Sequence, residues 1–234
     1  MALCPRDGDQ AAMRRGGSRL LPALATTLVL TACAGAPPPP DWQMNAKGSL
    51  ERATEAYLSG NGRREALEFA RARAELARTG RADLLARSEL LRCATRVASL
   101  EMGACSAYEA LAADAAPPEQ AYARYLSGQV EPADVALLPK AQQGLAANPA
   151  APDAALAAIS DPLSRLVAAG VLLRCGAATP GVVAQAVDTA SAQGWRRPLL
   201  AWLKVQQQLA QAAAEVDEVA RLQRRIDLVL GAKP

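Results

Sequence analysis

The chain has 234 residues, of which 51 % are hydrophobic and 3 % aromatic, and its formal net charge at pH 7 is +3. It contains no histidine, the side chain that most often acts as a metal ligand or as a general base near neutral pH. The composition therefore excludes zinc hydrolases with histidine ligands, Ser-His-Asp hydrolases and Cys-His peptidases, and it indicates no metal and no cofactor. A nearly neutral chain also lacks the concentrated basic surface of a nucleic-acid-binding domain, so we expect no nucleic-acid partner.

Residues 1–32 have the layout of a secretory signal peptide. The apolar run 20–30 is preceded by Arg14, Arg15 and Arg19 and followed by small residues, which is the order found in cleaved leaders. Eleven residues rise only about 16 Å as a helix, roughly half of a bilayer core, so the run is too short to cross a membrane. Acidic residues before Met13 are unusual in such a leader, so we expect translation to start at Met13.

The segment Leu30-Thr31-Ala32-Cys33 resembles the lipobox of bacterial lipoproteins, in which an apolar and two small residues precede a cysteine. The resemblance implies cleavage before Cys33 and acylation of its sulfur and of the new amine. Since Ala34 follows rather than aspartate, it also implies transport to the outer membrane of a Gram-negative bacterium, facing the periplasm. The prolines at 37–40 favour an extended, semi-rigid spacer, so residues 33–46 are predicted to form a lipidated tether. The alternative is an ordinary signal peptide with an incidental cysteine.

Residues 47–230 are predicted to form one α-helical domain, followed by a tail over residues 231–234. Ala, Leu, Glu, Arg and Gln dominate this part of the chain, and these residue types favour helices. No stretch alternates with the period of a strand. The predicted helices cover residues 49–59, 63–78 and 82–100, a middle part cut by prolines, and then residues 162–174, 180–192, 197–213 and 215–230.

Three cysteines follow the predicted acylation site. The compartment beyond the inner membrane is oxidising, which favours a disulfide. Cys93 and Cys105 lie twelve residues apart across a predicted turn between helices, so we expect them to pair. The alternative is a pair of Cys93 with Cys175, because both end the string LLRC. Under the first pairing, Cys175 closes an apolar run and is expected to be a buried free thiol.

The string YLSG occurs at Tyr57–Gly60 and again at Tyr125–Gly128, a separation of 68 residues. This is twice the period of the tetratricopeptide repeat, a helix–turn–helix unit of about 34 residues. The segment ATEAYLSGNGRREALEFARA resembles such a unit, with Ala66 nine residues after Tyr57, although Phe69 falls one residue early. The resemblance implies an all-α fold in which helical hairpins stack as a short, degenerate tetratricopeptide-like solenoid.

A candidate partner-binding surface lies on the first two predicted helices. It comprises one tyrosine and three arginines at seven-residue spacing: Tyr57, Arg64, Arg71 and Arg78. Residues seven apart on a helix share a face, so the arginines form a stripe that can bind carboxylates bidentately. The alternative is that they pair with Glu68 and Glu75 of the same helix on a solvated face.

Trp195 and Trp202 are also seven residues apart and flank a helix start at Pro198. One interpretation is an aromatic wall for a sugar or a peptide. The other, which we favour, is packing of the last helical hairpin.

These features together predict a non-enzymatic lipoprotein at the outer membrane that binds another envelope protein or peptidoglycan. A stack of helical hairpins creates a concave surface that needs no catalytic residue. One alternative is a carboxylate-dependent enzyme that cleaves peptidoglycan, which requires two carboxyl groups facing one cleft. Glu109, Asp114 and Glu119 are the acidic concentration available for it. Another alternative is a structural spacer that binds the cell wall through its arginines.

Overall fold

The computed structural model describes residues 38–231, and every regular element in this part of the chain is helical. The helices are α1 (Asp41–Leu58), α2 (Gly62–Ala77), α3 (Ala82–Ala98), α4 (Ser106–Glu109), α5 (Pro117–Ser127), α6 (Lys140–Ala147), α7 (Pro152–Ala157), α8 (Pro162–Arg174), α9 (Pro180–Ala192), α10 (Arg196–Ala212) and α11 (Val216–Leu230). Short 3-10 turns at Ala112–Asp114 and Pro132–Leu137 lie in the proline-rich middle. The prediction of an all-α fold is confirmed for the described residues.

The helical domain begins six residues earlier than predicted, because α1 starts at Asp41, inside the range 33–46 that was assigned to the tether. Pro40 precedes the helix with extended backbone angles, and Asp41 in the first turn complements the helix dipole. Ala46 is buried in the domain. Residues 41–46 therefore belong to the helical domain and not to the predicted tether. The predicted signal peptide and Cys33 lie outside the described residues, as does most of the tail.

The helices of eleven or more residues end at a glycine with a left-handed backbone, with two exceptions. Gly60 and Gly80 adopt left-handed backbone conformations, with φ of +90° and +66°, at the ends of α1 and α2. Leu100 takes the same role after α3 without being glycine, with φ of 62°, and Ala214 does so after α10. Helix ends at 60, 80 and 100 recur every twenty residues, so a hairpin here spans about forty residues rather than the 34 or so of a tetratricopeptide unit. The two YLSG strings mark the ends of α1 and α5, and the solenoid prediction is not confirmed.

Helices α3 and α8 form the centre of the core and approach each other closely. A Cβ atom at Gly170 of α8 would lie 2.4 Å from the carbonyl oxygen of Val97 in α3. Trp202 of α10 is fully buried beside them, and its indole N–H donates to the carbonyl of Ala98 at 3.0 Å. Trp202 is therefore a packing residue, as the second interpretation of the tryptophans holds.

The N-terminal end of α10 packs against α1. The guanidinium of Arg197 donates through Nε to the carbonyl of Tyr57 at 2.9 Å and stacks on its ring, 4.3 Å from the centroid. The indole N–H of Trp195 donates to Glu55 Oε2 at 3.0 Å. Arg197 also contacts Glu101 at 3.0 Å. We call this set, which comprises Glu55, Tyr57, Glu101, Trp195 and Arg197, the α1–α10 junction. It joins elements 140 residues apart in sequence.

The cysteines are arranged largely as predicted. Cys93 and Cys105 lie at disulfide distance, with their Cα atoms 6.0 Å apart, so the alternative pairing with Cys175 is not the one in the structure. Cys175 is free but exposed, which corrects the expectation of a buried thiol. The physical reason is that Cys175 directly follows the last residue of α8, where the chain turns at Gly176 and leaves the core.

Candidate functional site

Helix α3 lines a groove that has α1 on one side and α5 and α6 on the other. The groove consists of two clefts, which share Arg87 and Leu91 of α3. We call it the α3 groove. The first cleft has a volume of about 620 Å³, and its lining includes Trp42, Ala46, Leu50, Leu84, Leu91 and Leu163. The second cleft has a volume of about 510 Å³, and its lining includes Leu90, Glu119, Tyr122, Leu138, Pro139 and Gln142.

The first cleft is formed by one face of α1. Trp42, Ala46, Leu50 and Thr54 recur every four residues and line the cleft, and side chains at this spacing lie on one face of a helix. The face extends for roughly 18 Å, at 1.5 Å per residue. Lys47 and Glu51 at its edge are 3.9 Å apart and both mostly exposed. The first cleft therefore has an apolar surface, and its lining carries two charges of each sign, on Lys47, Glu51, Glu55 and Arg87.

The second cleft contains a buried carboxylate. Glu119 lies in the first turn of α5, directly after Pro117 and Pro118, and is only 5 % exposed. The guanidinium of Arg87 contacts its Oε1 through both Nε, at 2.8 Å, and a terminal nitrogen, at 2.6 Å. The other oxygen, Oε2, is buried and has no hydrogen-bond partner among the described residues. Of the two carboxylate oxygens of Glu119, one therefore accepts hydrogen bonds and the other accepts none from the described residues.

The rest of the second cleft is held in place by internal hydrogen bonds. The amide of Gln142 accepts from the Tyr125 hydroxyl at 2.7 Å and donates to the Ser164 carbonyl at 3.0 Å. Tyr122 and Tyr125 stack with ring centroids 6.0 Å apart. Burial raises the pKa of Tyr122, and Asp161 adds to the rise, so this hydroxyl stays protonated. The wall opposite Arg87 is thus rigid and largely apolar.

Buried carboxylates elsewhere are paired with arginines from other elements. The pairs outside the groove are Arg92–Glu65, Arg52–Glu68, Arg73–Glu89 and Arg124–Asp134. The Arg124 guanidinium, together with the backbone N–H of Glu131, lowers the pKa of Asp134 to about 2. Removing one partner of a buried pair leaves an uncompensated charge. Several arginines of this chain therefore serve helix packing.

The predicted arginine stripe lies on the exposed face of α2. Arg71 contacts Glu68 at 3.0 Å and Arg78 contacts Glu75 at 3.0 Å, in both cases three residues apart on the helix. Arg78 and Glu75 have the arrangement of the solvated-face alternative, in which such a pair contributes only ~0.2–0.5 kcal/mol, whereas Glu68 is buried and also pairs with Arg52 of α1. Arg64 contributes its backbone N–H to the Asn61 cap of α2, and its side chain is exposed. None of the three arginines belongs to the lining of the α3 groove.

Tyr57 does not join the arginine stripe, which corrects that part of the prediction. It is 5 % exposed and lies under the Arg197 guanidinium. Burial raises its pKa, and the neighbouring carboxylate of Glu101 adds to the rise. The N-terminal end of α10, which is distant in sequence, covers the ring. Tyr57 therefore connects α1 to α10.

Sequence reasoning missed two residues of the groove for different reasons. Trp42 was assigned to the tether. Its four-residue spacing to Ala46 and Leu50 is a helical signal, but it was not used because the helix was predicted to begin at residue 49. Glu119 was noted only as one of several acidic residues. Its burial depends on α3 supplying Arg87 from 32 residues away, and no local pattern indicates that contact.

The groove has the chemistry of a binding surface. Glu119 is the one carboxylate in the lining of the second cleft, while Glu109 and Asp114 are exposed and do not contribute to it. Residues 38–231 contain no cluster of three potential metal ligands. Within the same range, no helix has the length and apolar character needed to cross a bilayer. Comparison of the chain with protein-family models, with curated proteins and with solved structures finds no match.

Proposed function

We propose that this protein is a non-enzymatic scaffold of the Gram-negative cell envelope, anchored in the outer membrane through lipidated Cys33, that binds a partner protein in the α3 groove. The anchor is supported by the lipobox resemblance at residues 30–33 and by the prolines before α1. Two or more acyl chains give stable attachment where one is marginal. The proposal includes a tetratricopeptide-like stacking of α1, α2 and α3, in which the helices that flank the groove present a concave face.

The observation that carries this proposal is the α3 groove itself. Each of its clefts falls within the usual range of ligand sites, about 300–1,000 Å³. Leucine, proline and aromatic residues make up more than half of its lining. A concave apolar surface that carries a few convergent polar groups is the common form of a binding site.

The charges of the groove indicate the kind of partner. Lys47 pairs with Glu51 in the first cleft, where Glu55 accepts from the indole N–H of Trp195. Arg87 pairs with Glu119 in the second cleft, so a charged segment there would have to give up its hydration without gaining an unpaired counterion. The occupant that fits is therefore an uncharged, apolar segment of a partner protein.

Site-specific photocrosslinking tests whether the groove is occupied. A photoreactive phenylalanine analogue replaces Trp42 in the first cleft or Tyr122 in the second, and irradiated envelopes are searched for adducts. Leu228 of α11, which is 69 % exposed, is the matched control position. We expect the same partner to be captured from both clefts and not from position 228. Equal capture at all three positions, or capture at none, refutes the groove as the binding site.

A separate experiment tests the anchor. The Cys33→Ala variant should no longer incorporate radiolabelled lipid and should leave the membrane fraction, because the thioether cannot form. If the variant still sediments with membranes to the same extent as the wild-type chain, the proposed mode of attachment is wrong.

A further inference from the structure

We propose that the second cleft recognises an uncharged peptide by accepting a backbone N–H on Oε2 of Glu119 while the adjoining leucine-sized side chain enters the apolar part of the cleft. This inference rests on the proposed function, since the peptide is taken to be a segment of the partner. It assigns a recognition role to Glu119, which no sequence pattern indicates.

The first argument is the unequal use of the two oxygens of Glu119. Both contacts from Arg87 go to Oε1, while Oε2 is buried without a donor. A carboxylate has room for several hydrogen bonds, and a buried acceptor without one destabilises the folded chain. A donor supplied by a ligand removes that penalty, so the site favours a ligand that brings an N–H.

The second argument is charge. Arg87 already neutralises Glu119, so a cationic ligand would leave one positive charge in excess, and an anionic ligand would face Glu119. An uncharged N–H satisfies Oε2 without changing this balance. The Arg87 side chain is 67 % exposed, so it can shift towards solvent and admit the ligand while the core stays in place.

The third argument is the form of the apolar part. Leu90, Leu138, Pro139 and the ring of Tyr122 line the same cleft as Glu119. Gln142 uses one N–H and its carbonyl oxygen in internal hydrogen bonds, which hold its side chain against the protein. A peptide carries an N–H and an apolar side chain on adjacent atoms, which matches a cleft with one acceptor and one apolar wall.

Fluorescence polarisation with defined peptides tests the inference on the full chain in detergent. The probes are fluorescein-labelled Ala-X-Ala amides in which X is leucine, N-methyl-leucine, lysine or glutamate, and empty micelles are titrated in parallel. The leucine peptide should bind tightest. The N-methyl peptide keeps the side chain but lacks the N–H, and we expect its affinity to be at least about tenfold lower. Equal affinity of the leucine and N-methyl peptides, tighter binding of a charged peptide, or no binding above the micelle background each overturns the inference.

A pair of variants provides a second test of the role of Glu119. Glu119→Gln should reduce the preference for the leucine peptide over its N-methyl analogue, whereas Glu109→Gln, an exposed position outside the cleft, should leave that preference unchanged. An unchanged preference in Glu119→Gln overturns the role of Glu119. Should the partner still crosslink at Tyr122 while the peptides show no N–H preference, this inference alone fails. Loss of the crosslinks would instead remove the proposed function.

Discussion

Arg197 offers a direct test of the α1–α10 junction, because one side chain makes all of its contacts except the hydrogen bond from Trp195 to Glu55. The Arg197→Ala substitution removes the hydrogen bond to the Tyr57 carbonyl, the stacking on the Tyr57 ring and the ion pair with Glu101. It also leaves the Tyr57 carbonyl without its charged donor. We expect the substitution to destabilise the domain without changing its helices.

The magnitude follows from the individual contacts. A hydrogen bond from a charged group contributes ~1.5–3 kcal/mol, and a cation–π contact at a partly exposed site ~0.5–1 kcal/mol. The ion pair with Glu101, which is 48 % exposed, adds at most ~0.5 kcal/mol. These contributions overlap because one guanidinium makes all three, so we expect a loss of about 2–3 kcal/mol. At roughly 2–4 °C per kcal/mol for a domain of this size, the melting temperature should fall by about 4–12 °C.

Thermal unfolding followed by circular dichroism at 222 nm measures this loss. Arg196→Ala is the matched control, because the neighbouring arginine is exposed and donates only to the carbonyl of Leu230. The control should shift the melting temperature by no more than about 2 °C, which corresponds to ~0.5 kcal/mol. If Arg197→Ala melts within that same range, the contacts of Arg197 do not stabilise the packing of α10 against α1.

Other variants test packing, cross-linking and pH dependence. Gly170→Ala should lower the free energy of unfolding by about 1–3 kcal/mol or more, since its Cβ meets a backbone carbonyl of α3 at 2.4 Å; Gly144→Ala, where a Cβ meets nothing within 4 Å, should raise it by ~0.5–1 kcal/mol. Cys105→Ser should remove the mass signature of the Cys93 cross-link under non-reducing conditions and, for so short a loop, should cost about 2–3 kcal/mol. Asp134→Asn should destabilise the chain at pH 7, and the difference from the wild type should narrow from about pH 4 towards pH 2. The pKa of this carboxyl is about 3.9 in an unfolded chain and is lowered to about 2 in the folded chain. Its contribution to the free energy of unfolding is therefore complete above about pH 4 and is lost as the pH falls towards 2.

Each of these predictions has an outcome that would refute it. Equal stability of the two glycine variants in chemical denaturation would mean that α3 and α8 do not approach as closely as the structure has them. Free thiols at both cysteines of the mature, non-reduced chain would rule out the cross-link. A difference between Asp134→Asn and wild type that stays constant from pH 7 to pH 3 would show that the lowered pKa does not contribute to stability.

Helical class and most helix positions could be predicted from the sequence. Helix formers fill residues 41–98 and 162–230, and prolines and glycines punctuate them, so α8 and α9 were predicted with nearly the observed ends. These signals act within one or two helical turns, where capping, propensity and the fixed φ of proline operate. The twelve-residue spacing of Cys93 and Cys105 is local in the same sense.

Which helices touch could not be predicted in this way. The repeated YLSG string indicated a stacking period, but helix ends require such residues whatever the period. Arg197 lies in a predicted helix, but the sequence assigned it no role. In the structure it contacts Tyr57, which is 140 residues away, so Tyr57 takes part in packing. The arginines of the chain look alike in sequence, although Arg71 is a solvated partner of Glu68 and Arg87 neutralises a buried carboxylate in a cleft.

The sequence by itself determined the all-α class, the helix boundaries within a few residues, the spacing that allows the cross-link and the expectation of an N-terminal lipid anchor. All of these depend on neighbouring residues, whose interactions act at short range along the chain. Only the tertiary structure decided the extension of α1 to Asp41, the α1–α10 junction and the α3 groove with its half-used carboxylate at Glu119. These features arise from burial against distant helices, and burial depends on the packing of the whole domain rather than on any one segment.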